Sequence, residues 1–524
     1  MMRVVEENGL KFRVSEDHQT PEKSDVFFNP KIRINRELVL CGLSVYLDEH
    51  KEYAPKPARC LDAFAASGAL GLQWQKHLNH QKHITLNDNK PAAVENMHFN
   101  CQENGIHVYT SDKFSRKPSK DDENLSETPK EPRREDENLT RGSDGVEIVC
   151  QDSNILLLQR AFDFIHLDPF GTAVHYLESA FRNTPNKGVV SITSTDLASV
   201  YGRCPRMTKR HYSANVIRSE YYRELAARLI LGAVAKAAAR CNKGIEVLVS
   251  VAYEHFILVM VRVVRGPQHA DLSVEKVQQV IHCLICGDRC FLQGNHTVES
   301  DYYGKLKCNC KQTSPGKTAV FLGPVWSGSI FKAGFIKKML HCAERLKLSP
   351  KIIELLKTLH SEAVCSDIVD YEMHKHNSLS ETHIQKVSST LKSAPADVSV
   401  NPSTANEFGK SRQCTHQDDS NCSKVLTSKR TCVDVSAPAK RVCKDDSHET
   451  QVPFPSFYFN VHLHTAKGKD ALKMKKVIQL LKQNGFQASR THFDPVAVRT
   501  NASLQEFLKI LTSNSLPTST IDNV

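Results

Sequence analysis

The chain has 524 residues, 40% of them hydrophobic, which is enough for two or three domains with large apolar cores. Lysine and arginine outnumber aspartate and glutamate by 69 to 58, and the formal charge of +11 suits a polyanionic partner without proving one. The 17 cysteines, with no apolar leader ahead of them, argue against a disulfide scaffold and for a reducing compartment, while the most apolar stretch, 247–264, carries Glu254, His255 and Arg262 and so excludes a membrane span.

The first strand-like run, 59–64, leads into "LDAFAASGALG", where Asp62 is followed by Ser67, Gly68 and Gly71. Small residues let the backbone approach a ligand, but the G-x-G-x-x-G phosphate fingerprint is absent, and a tight strand-to-helix turn explains the segment equally well. A helix is expected at 69–78. The second strand, 83–87, ends in "ITLND" and places Asp88 where doubly wound folds hold a ribose, although strand-end aspartates also cap helices. A helix at 90–103 precedes residues 111–144, which are almost wholly charged, Ser, Thr, Pro or Asn and are expected to be a disordered surface insertion.

The third strand, 146–150, runs into Asp152 and Ser153. The fourth, 162–167, ends in "FDFIHLDPFG", with Asp168, Pro169 and Phe170. A helix at 172–183 and a fifth strand at 187–193 complete an alternation that predicts an α/β, doubly wound sheet, whose ligands bind beyond the carboxyl ends of the strands. Next come a basic loop with aromatic ends, "RCPRMTKRHY" (203–212), and a helix at 221–240 with Arg228, Lys236 and Arg240 on one face; these are candidate RNA contacts, with a solvated helix face as the plainer explanation. Two adjacent strands are expected within 247–264. "HCLICGDRC" (282–290) and "KCNC" (307–310) then offer Cys283, Cys286, Cys308 and Cys310 at spacings that suit structural zinc, with His282, Cys290 and His296 as spare donors. Residues 375–450 have the composition of a disordered linker. A strand at 456–466, an amphipathic helix at 470–485 and a strand at 486–493 form a small terminal module.

Four successive strands ending in an acid exceed what capping requires. An anionic rim repels phosphate and suits a ligand carrying ribose hydroxyls, an exocyclic amine and a cation, all of which S-adenosylmethionine has. An exocyclic base amine is a poor nucleophile, so a transferase acting on one needs an acceptor for its hydrogens. Asp168 is the candidate, with Pro169 fixing the backbone and Phe170 offering a face for stacking. Methylation of adenine in DNA or another RNA would use the same logic.

These motifs resemble the tRNA guanine-N2 dimethyltransferases, which modify guanine at the junction of the D and anticodon stems. The resemblance runs through "VFFNPKIRINREL" (26–38), "LDAFAASG", "HLDPFGTAVHYLESAF", "VVSITSTDLASVYG" (189–202), "EYYRELAARLILGAVAKAAARCNKGIEVL" (220–248) and "SRTHFDPVAVRTNA" (489–502). It implies a Rossmann-like class I methyltransferase domain over 1–265, interrupted by 111–144. It also implies a smaller α+β, tRNA-binding C-terminal domain in two parts, 266–374 with the zinc-binding segment and 451–510, separated by the linker 375–450. By resemblance, Arg36, Asp62, Ser67, Gly68, Asp88, Asp152, Ser153 and Pro169 hold S-adenosylmethionine, Asp168 is catalytic, and Phe27 with Phe170 sandwiches the guanine. Zinc is the second implied cofactor and tRNA the partner, with the chain acting as a monomer away from membranes. One departure stands out: where the family turn reads small-Ser/Thr-Gly-Leu-Arg, this chain has Ala69 and Leu70. It motivates the alternative of an RNA-binding paralogue with weak or no methyl transfer. Two basic clusters within 428–444 are spaced like a bipartite nuclear signal, so nucleus or nucleolus is expected, with cytoplasm as the alternative.

Overall fold

The computed structural model describes residues 2–15, 28–109, 145–292, 302–314, 316–365 and 456–515. The insertion at 111–144, the linker at 375–450, His296 and Phe27 lie outside them.

The chain opens with a hairpin that the sequence reading passed over, β1 (Met2–Glu7) against β2 (Leu10–Ser15). Its signal is the Asn8-Gly9 pair. Both residues have positive φ, 51° and 72°, as a tight two-residue hairpin turn requires. Leu10, Phe12 and Val14 alternate inward and are buried. The outer edge of β2 is fastened to the helix Pro91–Glu103: Arg13 N–H donates to Asn100 Oδ1 (2.7 Å), and Asn96 Nδ2 donates to the Arg13 carbonyl (3.0 Å). A long helix, Arg33–Tyr53, follows and is buried over most of its length.

The central sheet has eight strands: β3 (Ala58–Asp62), β4 (Lys82–Asp88), β5 (His107–Tyr109), β6 (Gly145–Cys150), β7 (Phe164–Leu167), β8 (Val189–Ser194), β9 (Lys243–Tyr253) and β10 (Phe256–Arg265). Their order is β5-β6-β4-β3-β7-β8-β10-β9. β3 to β8 are parallel, and β10 runs antiparallel to both β8 and β9. Helices cover both faces, so the central strands read as continuous apolar runs, with β7 and β8 buried throughout. The strand order reverses between β3 and β7, and the crevice above that switch point is where such a sheet binds ligands.

After β10 the chain builds a three-stranded sheet, ordered β12-β11-β13, from β11 (Val277–Cys283), β12 (Arg289–Phe291) and β13 (Ala319–Trp326). A helix spans 350–365. The terminal module pairs β14 (Tyr458–Asn460) and β15 (Ala488–Arg490) with a central β16 (Ala497–Thr500). The helices Met474–Gln483 and Leu504–Asn514 close a small core around Phe459, Val477, Leu481, Val498 and Phe507. The strand expected across 456–466 stops at Asn460. The Asn460 side chain accepts a hydrogen bond from Leu463 N–H (3.1 Å) and caps a short helix, Val461–His464.

A buried ionic chain ties this module to the long helix Tyr222–Arg240. Arg499 bridges Glu224 (2.7 Å) and Glu362 (2.9 Å), Glu224 also pairs with Arg228 (2.8 Å), and none of these four side chains reaches solvent. This removes Arg228 from the RNA contacts expected on that helix. Arg228 points into the core and donates to the carbonyls of Trp326 and Gly328, Lys236 is half-buried, and Arg240 pairs with Glu178 (2.9 Å). Arg228 is fully buried while Arg240 is exposed, so the three residues do not share one solvent-facing surface.

Candidate active site and cysteine cluster

The four acids singled out in the sequence belong to four neighbouring strands. Asp62 ends β3, Asp88 ends β4, Asp152 follows β6 and Asp168 follows β7. Register sets their depth. Asp62 pairs with Leu86 and His166, so Asp88 and Asp168 stand one pleat higher, on either side of it.

Each makes different contacts. Asp88 Oδ2 accepts from Ala66 N–H (3.0 Å) and Oδ1 from Lys90 N–H (3.0 Å), which clamps the turn after β3, where Ala66 and Gly68 have positive φ. A Cβ on Gly68 would meet Met97 at 3.2 Å, so this turn needs glycine for space as well as conformation. Asp152 is exposed and caps the helix Ser153–Gln159 by accepting from Asn154 N–H (2.9 Å) and Ile155 N–H (3.3 Å). Ser153 is buried and donates to the Ala63 carbonyl (2.7 Å). Buried Asn87 donates to the carbonyls of Ala63 (3.2 Å) and Gln151 (3.0 Å), and so sews together the loops after β3 and β6. Ser67 is buried, and its carbonyl accepts from Asn100 Nδ2 (2.8 Å). Leu70 is buried.

Asp62 and Asp168 are the chemically unusual pair. Burial pushes Asp168 up to about 7, against the opposing pull of the Arg36 charge and a hydrogen bond from Asn35. Burial likewise pushes Asp62 up to about 7, and the charge of Asp168 raises it further. Two carboxyls that resist ionising side by side make a place where a cation is favoured. The nearest arginine is already engaged: Arg36 donates from Nε to Glu7 Oε1 (2.7 Å), from Nη2 to Glu7 Oε2 (2.5 Å) and from Nη1 to the Asn29 carbonyl (3.2 Å). Its guanidinium also lies 4.7 Å over the ring of buried Phe28, which stacks on Phe12. Burial opposes ionisation of Glu7, but the hydrogen bonds and charge of Arg36 outweigh it and hold Glu7 below the usual range.

Three residues here escaped the sequence reading. Glu7 carries no motif. Asn35 precedes Arg36, is buried, and donates from Nδ2 to Asp168 Oδ2 (3.2 Å), while Thr193 on β8 donates to Asn35 Oδ1 (3.1 Å). Only adjacency to Arg36 could have drawn attention to Asn35.

Pro169 is buried and Phe170 is 56% exposed, its ring at the rim. Gly171 has φ 80°. Its N–H donates to Thr195 Oγ1 (3.0 Å), and its carbonyl accepts from Thr195 N–H (3.0 Å) and Asp196 N–H (3.2 Å), which pins the loop after β7 to the end of β8. The rim can thus accept hydrogens from an amine at Asp168, present an aromatic face beside it and hold positive charge over β3.

Cys283, Cys286, Cys308 and Cys310 converge as their spacing predicts, with all four Sγ atoms within 4.8 Å of one another. Four thiolates around one tetrahedral zinc would lie about 3.8 Å apart, so the cluster fits such an ion. Asp288 braces it, accepting from Cys308 N–H at Oδ2 (3.0 Å) and from Cys283 N–H at its carbonyl (2.7 Å). The spare donors described here are used elsewhere: His282 Nδ1 meets the Tyr221 hydroxyl (2.8 Å), and Cys290 lies against the Lys305 carbonyl (3.5 Å). No described helix is long and apolar enough to cross a membrane.

Residues 9–406 and 426–512 match the family model for N2,N2-dimethylguanosine tRNA methyltransferases. The chain is 40% identical over 526 residues to the tRNA (guanine(27)-N(2))-dimethyltransferase of Rattus norvegicus; the match takes in 99% of this chain and 65% of that protein, so the chain spans about two thirds of that relative's length. It is 28% identical over 345 residues to the tRNA (guanine(26)-N(2))-dimethyltransferase of Metallosphaera sedula, covering 65% of this chain and 75% of that one. The fold matches that of Trm1 from Pyrococcus horikoshii, solved as a complex with S-adenosyl-L-methionine, with a TM-score of 0.61 and 21% identity over 97% of this chain and 99% of the other.

Proposed function

The chain belongs to the N2,N2-dimethylguanosine tRNA methyltransferase family, and from that premise we propose that it methylates the N2 amine of a guanine in tRNA, using S-adenosylmethionine. The observation that carries this reading is the Asp168 carboxyl, held by Asn35 at the switch point beside an exposed aromatic ring. The relatives named for guanine 27 are 40% identical and the archaeal one named for guanine 26 is 28% identical, which favours position 27 as the target.

When bound, the cofactor supplies an electrophilic methyl on a sulfonium, and the acidic rim suits that positive charge. Asp88 holds the turn of Ala66 and Gly68 against the strand ends, and buried Asp62, one pleat lower, offers a carboxyl that a bound cation would favour as ionised. Arg36 and Asp152 complete the cofactor pocket, with Arg36 held in place by Glu7. Phe170 and Phe27 stack on the guanine. Asp168 accepts a hydrogen bond from the exocyclic amine, which localises the nitrogen lone pair for attack. With the bound cofactor supplying the methyl, the Asp168 carboxylate would take up the amine proton and pass it to water.

The four-cysteine cluster binds zinc in a structural role, cross-linking β11 to the segment at 308–310. The protein acts as a monomer, and the basic clusters within 428–444 support nuclear residence. The deciding experiment is mass spectrometry of nucleosides from unmodified tRNA incubated with the protein and S-adenosylmethionine. N2-methylated guanosine is expected; its absence with tRNA binding intact would leave the binding-protein alternative, which Leu70 motivates.

A further inference from the structure

The short helix Pro205–Tyr212 is built with two faces. Thr208 and Tyr212, four residues apart, turn inward and are buried. Arg206, Lys209 and Arg210, at i, i+3 and i+4, share the opposite face and are exposed, with exposed Arg203 just ahead of them. None of these four cations forms an ion pair among the described residues, unlike Arg228 and Arg240 on the neighbouring long helix. A run of cations left unpaired together carries a repulsion that a polyanion would relieve.

The inward face is joined to the catalytic loop. The Tyr212 hydroxyl lies 3.0 Å from Thr172 Oγ1, four residues past Asp168, and the rings of His211 and His175 meet edge-on at 5.4 Å. At the other end, Thr208 Oγ1 donates to the Ser199 carbonyl (2.5 Å), anchoring the helix to the segment after β8 that also pins Gly171. A charge-bearing face and the Asp-Pro-Phe-Gly loop are therefore the two sides of one packed unit.

We propose that the helix 205–212 grips RNA backbone phosphates through Arg203, Arg206, Lys209 and Arg210 and, through Tyr212 and Thr172, sets the register of the target guanine over Asp168. The proposal rests on the methyltransferase reading above and adds which surface carries the RNA. Phosphate contacts of this kind position the substrate without reading its sequence. Single-stranded and helical tRNA segments offer the same phosphate chemistry, so the helix sets register while selection of the base stays with the pocket.

The test uses the full chain and unmodified tRNA transcript. In R206E/K209E/R210E, tRNA affinity is expected to fall at least about 10-fold, with a shallower dependence on salt by roughly 0.7–0.9 per lost phosphate contact. S-adenosylmethionine binding by calorimetry and the melting temperature should not change, because these side chains are exposed. The charge-conserving R206K/K209R/R210K should restore most of the affinity. Tyr212→Phe keeps the cations and removes only the link; it is expected to bind tRNA normally while kcat falls about 5- to 10-fold through loss of register. Unchanged affinity and salt slope in the charge-reversed protein overturn the proposal, as does an equal loss in the charge-conserving variant. If the wild type binds tRNA but transfers no methyl, the activity reading fails while the binding arm still decides the role of the helix.

Discussion

Asn35 Nδ2 donates to Asp168 Oδ2 across 3.2 Å, and Thr193 donates its hydroxyl to the opposite end of the same amide. The donated hydrogen bond stabilises the ionised carboxylate against burial, which pushes Asp168 up to about 7. Proton acceptance requires that ionised form, so methyl transfer should rise with pH through about 7 and level off above it. In Asn35→Ala the stabilising bond is lost and the carboxyl titrates higher. The acid limb should therefore move to higher pH, with the largest loss of kcat below neutrality and near-recovery in alkaline buffer. Equal loss at every pH would show that Asn35 only supports the fold.

Asp168→Asn keeps the shape of the side chain and removes both the charge and the proton acceptance. Loss of such an electrostatic contribution in an enclosed site typically costs roughly 100-fold or more in rate. On the proposed function binding should suffer far less, since dispersed phosphate contacts would carry the tRNA and several strand ends the cofactor. Single-turnover rates alongside filter binding and calorimetry check this. Near-normal formation of N2-methylguanosine by the variant would move catalysis to another group.

For the cysteine cluster, metal analysis of freshly reduced protein should find about one zinc per chain, and a strong chelator should lower thermal stability. Cys308→Ser should reduce the zinc content and loosen the region around β11, because Cys308 reaches the cluster from a separate segment braced by Asp288. Metal-free protein with undiminished stability would dismiss a structural ion.

The parallel sheet and its acidic rim were legible because periodicity and strand-end chemistry are local: Asp62, Asp88, Asp152 and Asp168 all stand where the alternation of strands and helices placed them. The cysteine spacing was equally local. What the sequence hid depends on contacts far apart in the chain. Glu7 meets Arg36 through a hairpin, Asn35 meets Asp168 from a helix 133 positions away, and Arg228 looks like a surface cation until its helix is seen wedged between β13 and the terminal module. Asn8-Gly9 is different, for its turn signal was local and simply unread.

Arg499 offers the sharpest test of how the terminal module is held. Its guanidinium is the shared partner of Glu224 and Glu362, all fully buried, and Glu362 also receives hydrogen bonds from Thr491 Oγ1 (2.6 Å) and His492 N–H (3.1 Å). Arg499→Met fills similar space but leaves Glu224 to Arg228, and Glu362 to His492 and Thr491, and breaking a buried pair by removing one partner costs about 3–5 kcal/mol. The loss should appear as a lower denaturation midpoint, or as early release of the module seen by proteolysis near 456–515. Acid should mimic the substitution. Burial opposes ionisation of Glu362, but Arg499 and His492 hold it down at about 2. A carboxyl depressed in the folded state contributes stability that is complete above its unfolded value, about 4.3, and is lost as pH falls from there toward 2. Wild-type stability should decline over that window, while Arg499→Met, whose buried carboxylates have lost the Arg499 charge and titrate higher, should decline less steeply there. Parallel pH profiles for the two proteins would mean that the ionic chain does not hold the module.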